Sequence, residues 1–161
     1  MSKKVNSIPE GYTSLAFYLN VKDASKAIEF YKKAFGAKEI GRISMPGGIV
    51  GHADLQIGNA RFMLAEEMPE WGNKGPESVG GTPVGLCLYV DDCDKVFKQA
   101  LSEGAKVSGN MEPKDQFYGD RTGQLVDPFG HKWTICTHIE DVSWEEMQKR
   151  SDKLFSEQGA N

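Results

Sequence analysis

The sequence predicts an α+β protein built from one strand–helix–strands unit that occurs twice, with a separate helix at the C-terminal end. The stretch LAFYLNVKDASKAIEFYKKAFGAK from Leu15 is echoed from Leu86 by LCLYVDDCDKVFKQALSEGAK, ending at Lys106. Each copy has an alternating apolar strand, acidic turn residues, a helix with an apolar stripe and a closing Gly-Ala-Lys. A separation of about 70 residues is too long for a solenoid repeat and too short for two ordinary domains. Two half-domains that join around one shared site are therefore expected. Period-two alternation also recurs after each helix, as half-buried strands require.

Residues 1 to about 11 read as a loose polar arm ending at Pro9 and Gly11. Leu15, Phe17, Leu19 and Val21 alternate with Ala16, Tyr18 and Asn20, which predicts a strand with the large aliphatics packed on helices. Asp23 or Ser25 can cap the next helix, whose stripe is Ala27, Ile28, Tyr31, Ala34 and Phe35, and Gly36 stops it. Strands are expected at Lys38–Ser44, Val50–Ile57 and Ala60–Glu66, with Pro46-Gly47-Gly48 and Gly58-Asn59 as turns. The Gly- and Pro-rich residues 67–82 link the halves. Trp71 within them is either a lid over a pocket mouth or a surface aromatic. The second half predicts a strand Val84–Val90, a helix Cys93–Glu103, and strands near Lys106–Met111, at Gln116–Val126 and at His131–His138. Ser143-Trp-Glu-Glu146 has capping-box spacing and opens a helix through about Phe155. The expected organisation is one domain over 1–161: module 1 at about 12–66, linker 67–82, module 2 at about 83–139 and a terminal helix at about 143–155.

Composition excludes several function classes. A formal charge of −4 and the lack of a basic block argue against nucleic acid and acidic membranes as partners. No apolar run approaches the roughly 20 residues of a membrane span, and the N-terminal MSKKVNSIPEGY has no signal-peptide core, so a cytoplasmic location is expected. Cys87, Cys93 and Cys136 form no CxxC pair and read as reduced thiols.

Strand alternation places candidate site residues on one face: Tyr18 and Asn20; His52 and Asp54; Met63; Cys87 and Tyr89; Thr134 and His138. His52 with Asp54 two residues on could act as a general base. Same-face neighbours sit about 7 Å apart, however, and often only line a surface. Cys87 could be a cavity nucleophile or an inert thiol. Tyr118 lies in the polar-aromatic stretch Gln116–Arg121, where Arg121 serves either an anionic ligand or an ion pair with Asp120 or Asp127. The lining is polar and aromatic, which suits a small molecule.

The duplicated strand–helix–three-strand order and Asp127-Pro-Phe-Gly-His131 resemble the vicinal oxygen chelate superfamily, which includes glyoxalase I, extradiol dioxygenases and fosfomycin and bleomycin resistance proteins. AIEFYKKAFGAKEIGRI, VGHADLQIGNARFMLAEE, GGTPVGLCLYVDD and DQFYGDRTGQLVDPFGHKWTICTHIEDVSWEEM resemble its PhnB-like branch, so the likeness covers about Tyr12 to Arg150. The implied fold is a pair of βαβββ modules curled into a cup, commonly completed by dimerisation, so a homodimer is expected. It forms its cups within one chain or across two.

Metal-dependent members place one His or Gln and one Glu from each half on the ion. Those places fall here at Ala16, Met63, Gly85 and Thr134, none a good ligand for a hard divalent ion. No metal and no cofactor are expected. An unusual His52/His138 pair would need a third donor such as Asp54 or Glu66. The reading is metal-independent binding of a small molecule. The alternative is an enzyme of lyase, isomerase or transferase type on a small metabolite, with His52 as acid/base.

Overall fold

The computed structural model describes residues 5–158. Contacts divide the chain into two compact units: one runs to Pro83 and takes in Pro128–His131, and the other holds Val84–Asp127 and the chain from Lys132. Both sheets are mixed and follow the same plan, so the α+β expectation of a duplicated βαβββ module with a C-terminal helix stands. Among the described residues no helix is long and apolar enough to cross a membrane.

In the first unit β1 (Tyr18–Val21) leads into α1 (Ala24–Phe35), followed by β2 (Lys38–Ser44), β3 (Val50–Ile57) and β4 (Ala60–Glu66). The sheet order is β1-β4-β3-β2, with β1 parallel to β4 and the other pairs antiparallel. Asp23, in the left-handed region at φ 58, caps α1 by accepting from the Lys26 amide. The Glu66 carboxylate, at the end of β4, accepts the Asp23 and Ala24 amides at 2.8 Å each and satisfies two more orphan donors. Ala27, Ile28, Tyr31, Ala34 and Phe35 are all buried, as the helical stripe predicts. They pack on Val21, Leu55, Phe62 and Leu64, all buried; a residue such as Phe62 contributes about 1.5–3 kcal/mol by its burial. Phe129 of the Asp-Pro-Phe-Gly-His turn meets Phe30 and Tyr31 edge-on or tilted at 6.2 and 6.4 Å. The His131 ring donates to the Asn20 carbonyl at 3.2 Å. A short helix α2 (Pro76–Val79) interrupts the linker.

In the second unit β5 (Gly85–Tyr89), α3 (Cys93–Ser102), β6 (Lys106–Val107), β7 (Lys114–Asp115), β8 (Asp120–Val126) and β9 (Lys132–His138) precede α4 (Trp144–Gln158). The order β5-β9-β8-β6, with β5 parallel to β9, reproduces that of the first sheet. Asp92 caps α3, and Cys93, Phe97 and Ala100 pack toward the buried Leu125, Trp133 and Ile135. The buried Asp127 carboxylate accepts the Trp133 indole N–H at 2.9 Å, which gives that aspartate a structural task.

Three expected strands are shorter than the alternation implies by three residues or more. β1 begins at Tyr18, and Leu15 is 86% exposed rather than packed on a helix. Phe17 still stacks on Phe62 at 4.8 Å. The strand expected over Lys106–Met111 is only Lys106–Val107, because Gly109 and Asn110 both turn left-handed; pairing resumes at Lys114–Asp115. β8 starts at Asp120 because Gln116–Gly119 closes a turn with Gly119 at φ 96.

Candidate functional site

In the first unit, Ala53, Leu55 and Ile57 of β3 are buried, which leaves His52, Asp54 and Gln56 on the opposite face. His52 and Asp54 do more than line it. The two side chains lean together, and His52 Nε2 lies 2.8 Å from Asp54 Oδ1. The Tyr18 hydroxyl lies 2.9 Å from His52 Nδ1. An ionised carboxylate only accepts, so in the neutral ring Nε2 carries the proton and Nδ1 accepts from Tyr18. Burial, with Asp54 adding to it, raises the Tyr18 phenol above its ordinary range, so Tyr18 keeps the proton it donates.

Beside this chain of hydrogen bonds lies a cleft of about 540 Å³ lined by Tyr12, Ala16, His52, Asp54, Arg61 and Met63. The segment read as a loose arm supplies part of its wall. Burial, followed by Asp54, pushes the Tyr12 phenol up to about 12. The Arg61 guanidinium sits 5.8 Å from the centre of the Tyr12 ring and donates to the Glu10 carbonyl at 2.8 Å. Among the described residues the Tyr12 hydroxyl and Arg61 Nε are buried without a hydrogen-bond partner. The sequence signal for Tyr12 is an aromatic three residues before the alternation that starts at Leu15.

The second unit carries a different chain. The Tyr89 hydroxyl donates to Asp120 Oδ2 at 2.6 Å, and His138 Nδ1 lies 2.7 Å from Asp120 Oδ1. His138 Nε2 lies 2.9 Å from Asp141. The hydrogen bond to Asp120, then that to Asp141, raises the His138 pKa above its ordinary value. The bond to Asp120 also pushes the Tyr89 phenol far up. Above these groups opens a cleft of about 570 Å³, walled by Phe117, Tyr118, Trp144 and Met147. The last two belong to α4, so the terminal helix forms one side of a cavity. Arg150 ties α4 down through Glu140 at 2.7 and 2.8 Å and through the Phe117 carbonyl at 3.3 Å.

Other candidates lie elsewhere. Arg121 pairs with neither Asp120 nor Asp127; it alternates to the helix side, where Asp94 holds it in a two-pronged pair at 2.6 and 2.9 Å and Asp115 at 2.8 Å. Its guanidinium is thus occupied by two carboxylates. Cys87 is exposed and Cys136 buried, and burial pushes the Cys136 thiol up to about 12. Thr134 pairs with Cys87 across β9 and β5, while Asn20 is half-buried opposite Ala65. Trp71 is 67% exposed in a single turn of 3₁₀ helix. Neither cleft's lining includes these side chains.

The strand register supports the equivalence of the two halves: Tyr18 pairs with Met63 as Cys87 pairs with Thr134. Ala16 and Gly85 each stand two residues earlier. In each unit the two positions that the resemblance assigns to metal ligands therefore carry groups that do not fit a divalent ion, a methyl group and a thioether in the first and a bare backbone and a neutral hydroxyl in the second. Both ring nitrogens of His52 and of His138 are already engaged by a tyrosine or a carboxylate.

The chain matches the family described as the glyoxalase/bleomycin resistance protein/dioxygenase superfamily over residues 12–135. An uncharacterized protein of Mycobacterium bovis is 44% identical over 138 residues, spanning 84% of this chain and 90% of that protein. A solved structure from Pseudomonas aeruginosa superposes with a TM-score of 0.64 at 20% identity, covering 80% of this chain and 99% of that one. The genomically encoded fosfomycin resistance protein FosX of Listeria monocytogenes, solved with Mn(II) and a sulfate ion, gives 0.60 at 18% identity, covering 86% and 97%.

Proposed function

Because the chain belongs to the glyoxalase/bleomycin resistance protein/dioxygenase superfamily, we propose that it is a metal-independent small-molecule binding protein of the PhnB-like branch, with the His52 cleft as its primary site. One observation favours binding over acid–base catalysis by His52. Both nitrogens of His52 are held, by Asp54 and by a Tyr18 whose raised pKa keeps its proton in place. With Nδ1 accepting from Tyr18 the ring offers no open lone pair to a substrate proton, and a phenol that holds its own proton this firmly is a poor relay to one. The same arrangement leaves Asp54 and the Arg61 guanidinium as polar groups in the cleft beside Met63 and Tyr12. A few placed polar groups in a part-apolar cleft are what a binding site requires.

A homodimer is part of the reading. β2 is an edge strand of its sheet, and its Ile40 and Ile43 are exposed, which favours cover by a second copy. Native mass spectrometry with elemental analysis of freshly purified protein tests all three elements. The expected result is a dimer carrying an organic ligand released unchanged and no stoichiometric Zn, Ni, Mn or Fe. Conversion of that ligand, lost in His52→Ala with the fold retained, would establish an enzyme instead. A stoichiometric metal would overturn metal independence.

A further inference from the structure

We propose that the cleft between α4 and the second sheet is a separate site for a small planar organic cation. Its walls are the rings of Tyr89, Phe117, Tyr118 and Trp144, with Met147 beside them and Asp120 and His138 at the base. Trp144 is 86% exposed and Tyr89 60% exposed, so two ring faces stand open to solvent instead of filling the core. Open aromatic faces attract cations through the negative face of the ring, and they stack on planar groups. A volume of about 570 Å³ accommodates a bicyclic or tricyclic molecule.

The charges at the base select the sign. His138 is held between two carboxylates, Asp120 and Asp141, so this trio carries a net negative charge even with the ring protonated. The ring has no free N–H to offer an anion, since both nitrogens are engaged. Arg150, on the same helix, is neutralised by Glu140 and Glu146. An anion entering the cleft therefore meets no uncommitted cation among the lining residues, whereas a cation meets π faces and the net negative charge of a trio whose Asp120 and His138 line the cleft and whose Asp141 stands just outside it.

Isothermal titration of the full chain at neutral pH with N-methylquinolinium, quinoline and 1-naphthalenesulfonate tests the assignment. These probes share a bicyclic body and differ in charge. The expected result is saturable binding of N-methylquinolinium, roughly tenfold tighter than quinoline, with naphthalenesulfonate weakest. Trp144→Leu keeps apolar bulk but removes a π face, and should erase most of the preference for the charged probe. The difference between the unaltered protein and Trp144→Leu reports this cleft alone, because Trp144 lines it and not the first, so this test fails or succeeds independently of the function proposed for the first cleft. Equal affinity for quinoline, tighter binding of the sulfonate, no saturable binding, or an undiminished charge preference in Trp144→Leu would each overturn the proposal.

Discussion

Tyr18→Phe separates a held imidazole from a reactive one. The substitution deletes only the hydroxyl that lies 2.9 Å from His52 Nδ1 and keeps the ring, which is tilted over the imidazole with centroids 5.6 Å apart. A neutral hydrogen bond is worth about 0.5–1.5 kcal/mol net. Tyr18 is 45% exposed, so water can replace the lost partner and the cost should lie near the low end. With a urea slope of about 1–3 kcal/mol/M, the midpoint should fall by only ~0.2–0.5 M. The chemical effect should be larger, because the Nδ1 lone pair is freed while Asp54 still holds Nε2. Carbethoxylation by diethylpyrocarbonate, followed by peptide mass mapping, should show His52 modified several times faster in the variant. Imidazole ¹⁵N shifts in the unaltered protein should show Nε2 protonated and Nδ1 an acceptor. Equal modification rates, or a protonated Nδ1 in the neutral ring, would refute the account of His52 as an imidazole held on both nitrogens.

Two further outcomes follow from neighbouring geometry. Glu66→Ala removes both charge-assisted bonds to the start of α1 and an anion from a helix N-terminus, and should cost about 2–3 kcal/mol in urea unfolding; a loss under about 0.5 kcal/mol would show that water replaces it. His138 should titrate above 6.5 by NMR, and Asp120→Asn should bring the midpoint back toward that value. Because its folded pKa is raised, the stability it contributes is complete below the ordinary histidine range and is lost as pH rises through the folded value. An unmoved midpoint in Asp120→Asn would mean that Asp120 does not hold the ring.

The scaffold was legible because its signals are local. Period-two alternation over Val50–Ile57 and Ala60–Glu66 and the stripe through Ala27, Tyr31 and Ala34 each report one buried face, and the duplication repeats the reading. What escaped was whatever depends on side-chain reach. Same-face spacing on β3 suggested that His52 and Asp54 stand apart, yet both side chains are long enough to lean into contact. Arg121 sits in a polar-aromatic run, but alternation from Asp120 sends it to the helix side, where Asp94 and Asp115 meet it. Tyr12 and Trp144 lie outside the repeat, so no comparison of the two copies could have drawn attention to them.

The duplication also bears on whether the two clefts do the same work. In the first sheet Asp54 pairs with Met63, and in the second Gln124 pairs with Thr134, which makes Asp54 and Gln124 equivalent. His52 then corresponds to Thr122, and Tyr18 to Cys87. None of the three residues of the first hydrogen-bonded chain has a like residue at its counterpart. The second chain is built instead from Tyr89, Asp120, His138 and Asp141, with its outer wall on α4. The two copies share a backbone plan and divide at the level of side chains. A histidine locked on both nitrogens appears in each unit from different strands, β3 in one and β9 in the other. If one symmetric ligand were gripped alike by both halves, the gripping residues would occupy equivalent strands. Their absence from equivalent strands favours two sites of different chemistry, one offering Arg61 beside Asp54 and the other an aromatic cleft over the Asp120–His138 pair.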